Sequence, residues 1–218
     1  METTLYIGNK NYSSWSLRSW LLLSEAGIDF EEQRILLDVE TSAKELASVS
    51  PSRTVPVLVI DGVTIWDTMA IAETIAERWP DKQLWPADDE ARAYARSISA
   101  EMHSGFMRLR NDMPMNCRAM GRKVALPDEL TRDIDRVIDI WSTCYKRFGG
   151  DDGWLFGDFS VADAMYAPVV LRFRTYGINL PESARAFADR LLQSDAMQSW
   201  LAAAESETEV IDADEKGR

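Results

Sequence analysis

The chain has 218 residues, 46% of them hydrophobic, and a net charge of −12 from 24 basic and 36 acidic side chains. That is enough to bury one large core or two smaller ones, and the acidic balance lacks the basic footprint that binding nucleic acid requires. A single histidine, His103, and two cysteines, Cys117 and Cys144, exclude a multi-histidine metal site, a disulfide framework and any Ser-His-acid triad without His103.

The opening "METTLYIGNK" has no cationic start followed by an apolar run, so it does not read as a secretory leader. Within it, "TLYIG" reads as a strand. "SLRSWLLLSEAG" follows as a helix with Gly27 as its stop. "FEEQRILLD" gives a second strand and "TSAKELASV" a short helix. "VPVLVIDGVTIWD" gives two strands broken at Asp61-Gly62, a strong hairpin signal, and "TMAIAETIAERW" closes the segment as a helix. The order βαβαββα places the first two strands parallel and the hairpin antiparallel, the plan of a thioredoxin-like sheet.

Three places in this segment bring ligand-binding chemistry to element ends. "NYSSWS" sets Tyr12, Ser13 and Ser14 at the start of the first helix, where hydroxyls serve either as caps or as donors to an anion. Pro56 opens the third strand. It sits there either at an edge in the trans form or in the cis form, which turns the Val55 backbone outward to pair with an extended ligand. Asp67 is an N-cap and Thr68 offers a hydroxyl beside free amides. Ligands of open α/β sheets gather at such ends.

"WPDKQLWPADD" reads as a linker, which divides the chain into residues 1–79, a linker over 80–87 and a helical part over 88–218. In the first long helix Ala91, Ala95, Ile98, Met102 and Leu109 share the core face. His103, Phe106, Arg110 and Met113 form a neighbouring stripe, suited either to a second-substrate cleft or to an interdomain contact. Arg110 suits an anionic second substrate. "LTRDIDRVIDIWSTCYKRF" is an amphipathic helix that buries Cys144, while Cys117 in "MNCRAM" reads as exposed. Ser160 and Asp163 form a capping box. Pro168 is expected to kink or restart the following helix. The acidic tail "ETEVIDADEKGR" reads as frayed. The longest apolar run, "AMYAPVVL", is far short of a membrane span, and the chain is expected to be cytoplasmic.

"RTVPVLVIDGVTIWDTMAIAETIAERWP" and "FSVADAMYAPVV" together resemble the glutathione S-transferase superfamily over nearly the whole chain. The resemblance implies a thioredoxin-like glutathione-binding domain, an α-helical domain with a second-substrate surface, and a homodimer that requires no metal. The serine cluster is similar to the theta and zeta classes, whose first serine lies fourteen residues before the glycine ending the helix. Counted back from Gly27, that serine is Ser13. The resemblance therefore makes Ser13 the donor to the glutathione sulfur, with Ser14 next and Tyr12 behind. It gives Val55 and Pro56 the ligand backbone, and Asp67 and Thr68 the γ-glutamyl end, where the family's usual pair is Glu-Ser. Trp15 stands where the zeta class has cysteine, which removes cysteine thiol exchange and speaks against maleylacetoacetate-type isomerisation. The implied activity is thiolate attack on a small electrophile. A glutathione-dependent reductase or isomerase and a non-catalytic binder are the alternatives.

Overall fold

The computed structural model describes residues 1–149 and 152–218. Four strands, β1 (Thr3–Ile7), β2 (Glu31–Arg34), β3 (Val57–Ile60) and β4 (Val63–Trp66), form one sheet in the order β2-β1-β3-β4. β1 runs parallel to β2 and antiparallel to β3, and β3 is antiparallel to β4. Alternation in β1 sends Thr3, Leu5 and Ile7 inward. The edge strand β2, all of it exposed, consists of charged and amide residues, which protects an edge from adventitious pairing. The β3–β4 turn uses Asp61 (φ 48°) and Gly62 (φ 82°), and two positive φ values match the primed turn that suits twisted strands.

Helices α1 (Ser14–Glu25), α2 (Ser42–Val49) and α3 (Thr68–Arg78) complete this half. α1 is buried on nearly every side, because it lies between the sheet and α7 (Val161–Tyr176) of the helical half. The Gly27 N–H closes it on the Ser24 carbonyl at 3.0 Å, with Gly27 in the left-handed region at φ 61°. The other helices are α4 (Asp89–Ser104), α5 (Met107–Asp112), α6 (Asp128–Arg147), α8 (Glu182–Gln193) and α9 (Asp195–Glu205). One apolar core runs through both halves, from Leu5 and Leu21 to Trp141, Phe173 and Trp200. The expected linker carries a short 3₁₀ turn over Pro80–Lys82, and its Leu84 and Trp85 are part of that core.

The capping box opens α7 as expected. The Asp163 carboxylate, fully buried, accepts the N–H groups of Leu155 (2.9 Å) and Ser160 (2.8 Å) and the Ser160 hydroxyl (2.7 Å).

Four expectations are corrected. The first long helix of the second half breaks at Gly105-Phe106, where Phe106 turns left-handed (φ 58°). Arg110 folds back there, donating through Nε to the Gly105 carbonyl at 2.9 Å and through Nη2 to the Met102 carbonyl. It thus satisfies carbonyls that the end of α4 leaves free. The chain does not restart at Pro168, since α7 runs through it as one helix. Cys117 is buried, its thiol donating to the Lys10 carbonyl at 3.4 Å, and burial pushes its pKa up to about 12. The acidic tail is not frayed: Glu207 and Glu215 tie it to the rest of the chain by hydrogen bonds.

Candidate active site

The loop Asn9–Ser13 carries the chain from β1 into α1. The Asn9 carbonyl accepts the N–H of Tyr12 (3.2 Å) and of Ser13 (2.8 Å). Ser13 caps α1, its Oγ accepting the Ser16 N–H at 3.4 Å and donating to Ser16 Oγ at 2.7 Å. Ser16 Oγ also accepts the Gly8 N–H at 3.0 Å, so three residues share a buried hydroxyl chain at the head of the helix. The Ser14 hydroxyl has no hydrogen-bond partner among the described residues. Tyr12 points elsewhere, to Glu215 Oε1 at 2.7 Å.

A cavity of about 330 Å³ opens beside this helix end, lined by Trp15, Thr54, Val55, Pro56, Asp67, Thr68 and His103. The Val55-Pro56 bond is cis, and among the described residues the Val55 N–H and C=O take no partner. Asp67 caps α3 through Oδ1, which accepts the Met69 N–H at 2.9 Å. Its backbone is held at φ 72°, a region that disfavours a residue with a Cβ and marks a constrained position. Its other oxygen, Oδ2, lies 3.1 Å from Nε2 of His103. Thr68, in the first turn of α3, is buried and has no side-chain hydrogen bond among the described residues. A helix start with a free hydroxyl and a strand opening with a free N–H and C=O are the two groups an extended peptide-like carboxylate needs.

Trp15 forms one wall. Two guanidinium groups approach its ring, Arg18 at 4.4 Å and Arg110 at 4.7 Å from the centroid, with the His103 ring edge-on at 5.3 Å. Arg18 is fully buried and donates through Nε to the Met165 carbonyl at 2.9 Å, while both its Nη atoms lack hydrogen-bond partners among the described residues. Burial, then the neighbouring Arg110 and Arg172, lower its pKa well below the usual arginine value. Burial also lowers Arg110. Neither guanidinium has a carboxylate partner among the described residues.

Of the expected second-substrate stripe, His103 alone reaches the cavity. Phe106 and Met113 are core residues, and Arg110 stands behind Trp15. The helix break explains this, since it ends the 3.6-residue period on which the stripe relied. Val55, Pro56, Asp67 and Thr68 meet as expected. Ser13 and Ser14 precede Trp15 at the rim and are not part of the lining. Trp15, Thr54 and Ser16 were not foreseen as site residues, although Trp15 and Ser16 belong to the same "SSWS" cluster. Among the described residues no cluster of His, Cys, Asp and Glu is placed to hold a metal ion, and no helix is long and apolar enough to cross a membrane.

Residues 12–78 match the glutathione S-transferase N-terminal domain, and residues 125–203 the glutathione S-transferase C-terminal domain. The chain is 36% identical over 181 residues, 81% of its length and 80% of the relative's, to maleylacetoacetate isomerase of Mus musculus. It is also 36% identical over 110 residues, half of each chain, to a probable maleylacetoacetate isomerase of Caenorhabditis elegans. Its fold superposes on a glutathione transferase homolog from Burkholderia gl BGR1 crystallised with glutathione, at a TM-score of 0.71 and 25% identity, covering 95% of this chain and 100% of that one. By matched domains, by relatives and by the cavity built on Pro56, Asp67 and Thr68, the chain belongs to the glutathione S-transferase family.

Proposed function

We propose that the chain binds glutathione along Val55, Pro56, Asp67 and Thr68 and activates its thiol at the head of α1. The observation that carries this is the meeting of the free Val55 backbone, the Asp67-Thr68 helix start and Trp15 around one cavity. Glutathione is the co-substrate, and the chain is a glutathione-dependent enzyme. Residues 1–79 supply its glutathione side and residues 88–218 the surface facing the second substrate.

The thiol has an ordinary pKa of about 8.5, so only a few per cent is thiolate at neutral pH. A hydroxyl donating to sulfur beside helix-end amides lowers this by roughly two units, about 2.7 kcal/mol of preference for the anion. Ser13 is the proposed donor. With the Gly8 N–H held on Ser16 Oγ, a rotation of both hydroxyls lets Ser16 donate to Ser13 and frees the Ser13 hydrogen for the sulfur. Ser14, with its unengaged hydroxyl, is the alternative. No general base takes part.

Arg18 and Arg110, without carboxylate partners among the described residues, place positive charge behind the Trp15 wall, which favours an anionic electrophile, and the names of the curated relatives set isomerisation level with conjugation. In both, the thiolate first adds to an electrophilic carbon. In isomerisation it leaves again after rotation about the former double bond. Trp15 in place of cysteine does not stand against this, because the adding sulfur is the one on glutathione.

The exposed edge strand β4, with Val63 (54% exposed) and Trp66 (43%), supports a homodimer, and two buried free thiols suit a reducing cytoplasm. The test is thiolate absorbance of bound glutathione across pH in wild type, Ser13→Ala and Ser14→Ala. The assigned serine is the one whose loss returns the pKa towards 8.5 and lowers kcat/KM about a hundredfold with affinity kept. An unshifted wild-type pKa overturns thiol activation.

A further inference from the structure

The acidic tail, Ser206–Arg218, runs back across the loop that precedes the two serines and binds it with two carboxylates. Glu207, buried, accepts the Lys10 N–H on Oε1 at 2.8 Å and the Asn11 N–H on Oε2 at 3.0 Å. Arg34 supplies its counter-charge at 2.8 Å. Glu215 accepts the Tyr12 hydroxyl at 2.7 Å and Asn116 Nδ2 at 2.8 Å on Oε1, and pairs through Oε2 with Arg122 at 2.6 Å. Arg118 ties the tail from its other side, donating to the carbonyls of Glu207 and Glu209 and to the Tyr12 hydroxyl. Asn11 has every polar group engaged. Its N–H goes to Glu207, its side chain to Asn116 and the Arg118 N–H, and its carbonyl receives the Cys117 N–H.

The consequence lies two residues on. Lys10 and Asn11 are held by the tail through their backbone N–H groups and Tyr12 through its side-chain hydroxyl, so the chain entering Ser13 is tethered at three consecutive residues. A hydroxyl must be held to within about half an ångström to donate productively, and a loop normally lacks that precision. From this geometry we infer that Glu207 and Glu215 are positioning residues for the α1 hydroxyls: the tail is a strap that sets where Ser13 and Ser14 stand. Neither carboxylate lines the cavity. The inference rests on the thiol-activation reading for its kinetic consequence, but the strap itself is tested without glutathione.

Glu207→Gln is the informative substitution, because an amide keeps the shape and volume yet turns a donor toward one of the two N–H groups. Glu207→Asp keeps the charge, and Glu205→Gln, two residues away at the exposed end of α9, serves as control. Amide exchange resolved by segment is expected to quicken roughly tenfold over residues 9–14 in Glu207→Gln, with α6 unchanged. The pKa of bound glutathione should rise by about one unit and kcat/KM fall about tenfold, with glutathione affinity within about twofold of wild type and partial recovery in Glu207→Asp. Glu215→Gln should show the same pattern more weakly, and it supplies the test if Glu207→Gln does not fold. Unchanged exchange at residues 9–14, or an equal rise throughout the chain, overturns the strap. If wild-type glutathione shows no pKa shift while residues 9–14 loosen in Glu207→Gln, the strap stands and the thiol-activation reading falls.

Discussion

Oδ2 of Asp67 lies 3.1 Å from Nε2 of His103, while its Oδ1 caps α3 on the Met69 N–H. One carboxylate thereby joins the helix start that is proposed to bind glutathione to the last turn of α4 in the helical half. The two oxygens have separable jobs. Asp67→Asn keeps an acceptor for the cap but loses the charge, so stability should stay within about 1 kcal/mol while glutathione Kd rises roughly tenfold. Asp67→Ala should lose both. Calorimetric titration beside thermal unfolding separates the two effects.

Asp163 is a structural acid. Its carboxylate satisfies the buried Leu155 and Ser160 amides, and Asp163→Ala strands both, at a cost of about 3 kcal/mol. For a chain of this size that lowers Tm by about 6–12 °C. Steady-state constants at 25 °C should not change. A large loss of kcat with stability intact would contradict the assignment.

The clamp on Tyr12 carries an acid signature. Burial pushes the Glu215 carboxyl up, but hydrogen bonds from Tyr12, Asn116, Arg218 and Arg122 outweigh it and hold the pKa at about 2, below the ordinary 4.5. Because the folded value is the lower one, this group stabilises fully above pH 4.5, and its contribution drains away as pH falls towards 2. Asp163 works with the opposite sign. Burial raises it from 3.8 to about 6, so its contribution is complete below 3.8 and lost as pH rises through 6. Unfolding measured from pH 6 to pH 2 should therefore show a late acid loss that Glu215→Gln flattens.

Two cations lie against the Trp15 ring. Trp15→Phe preserves a ring face for both guanidinium groups and should cost about 1 kcal/mol. Trp15→Ala leaves Arg18 buried beside a void and should cost about 3 kcal/mol. Denaturant unfolding decides between them. Equal costs would mean that the ring face and volume retained by Phe contribute nothing at this position.

How far the sequence carries this structure depends on the range of the forces involved. The Asp61-Gly62 hairpin, the parallel pairing of β1 and β2, the Ser160–Asp163 box and the convergence of Pro56, Asp67 and Thr68 all follow from local chemistry, and they are legible at short spacing. The break at Phe106 is not, because it puts a residue other than glycine in the left-handed region, with the carbonyls around it met by Arg110 returning from further along the chain. The tail escapes for a similar reason. "ETEVIDADEKGR" has no period of its own, and its partners Lys10, Asn11, Tyr12, Asn116 and Arg122 lie some ninety or more positions earlier in the chain.

α1 also bears on how the molecule comes apart. With Arg18 reaching the Met165 carbonyl, Trp20 packed on Trp200, and the Leu84 carbonyl holding the first amide of α7, the two halves share one cohesive interior. They should melt in a single transition, and a fragment ending after α3 should behave as an aggregating chain with a bare helix flank. Although the two domains are matched separately, each is expected to depend on the other to stay folded.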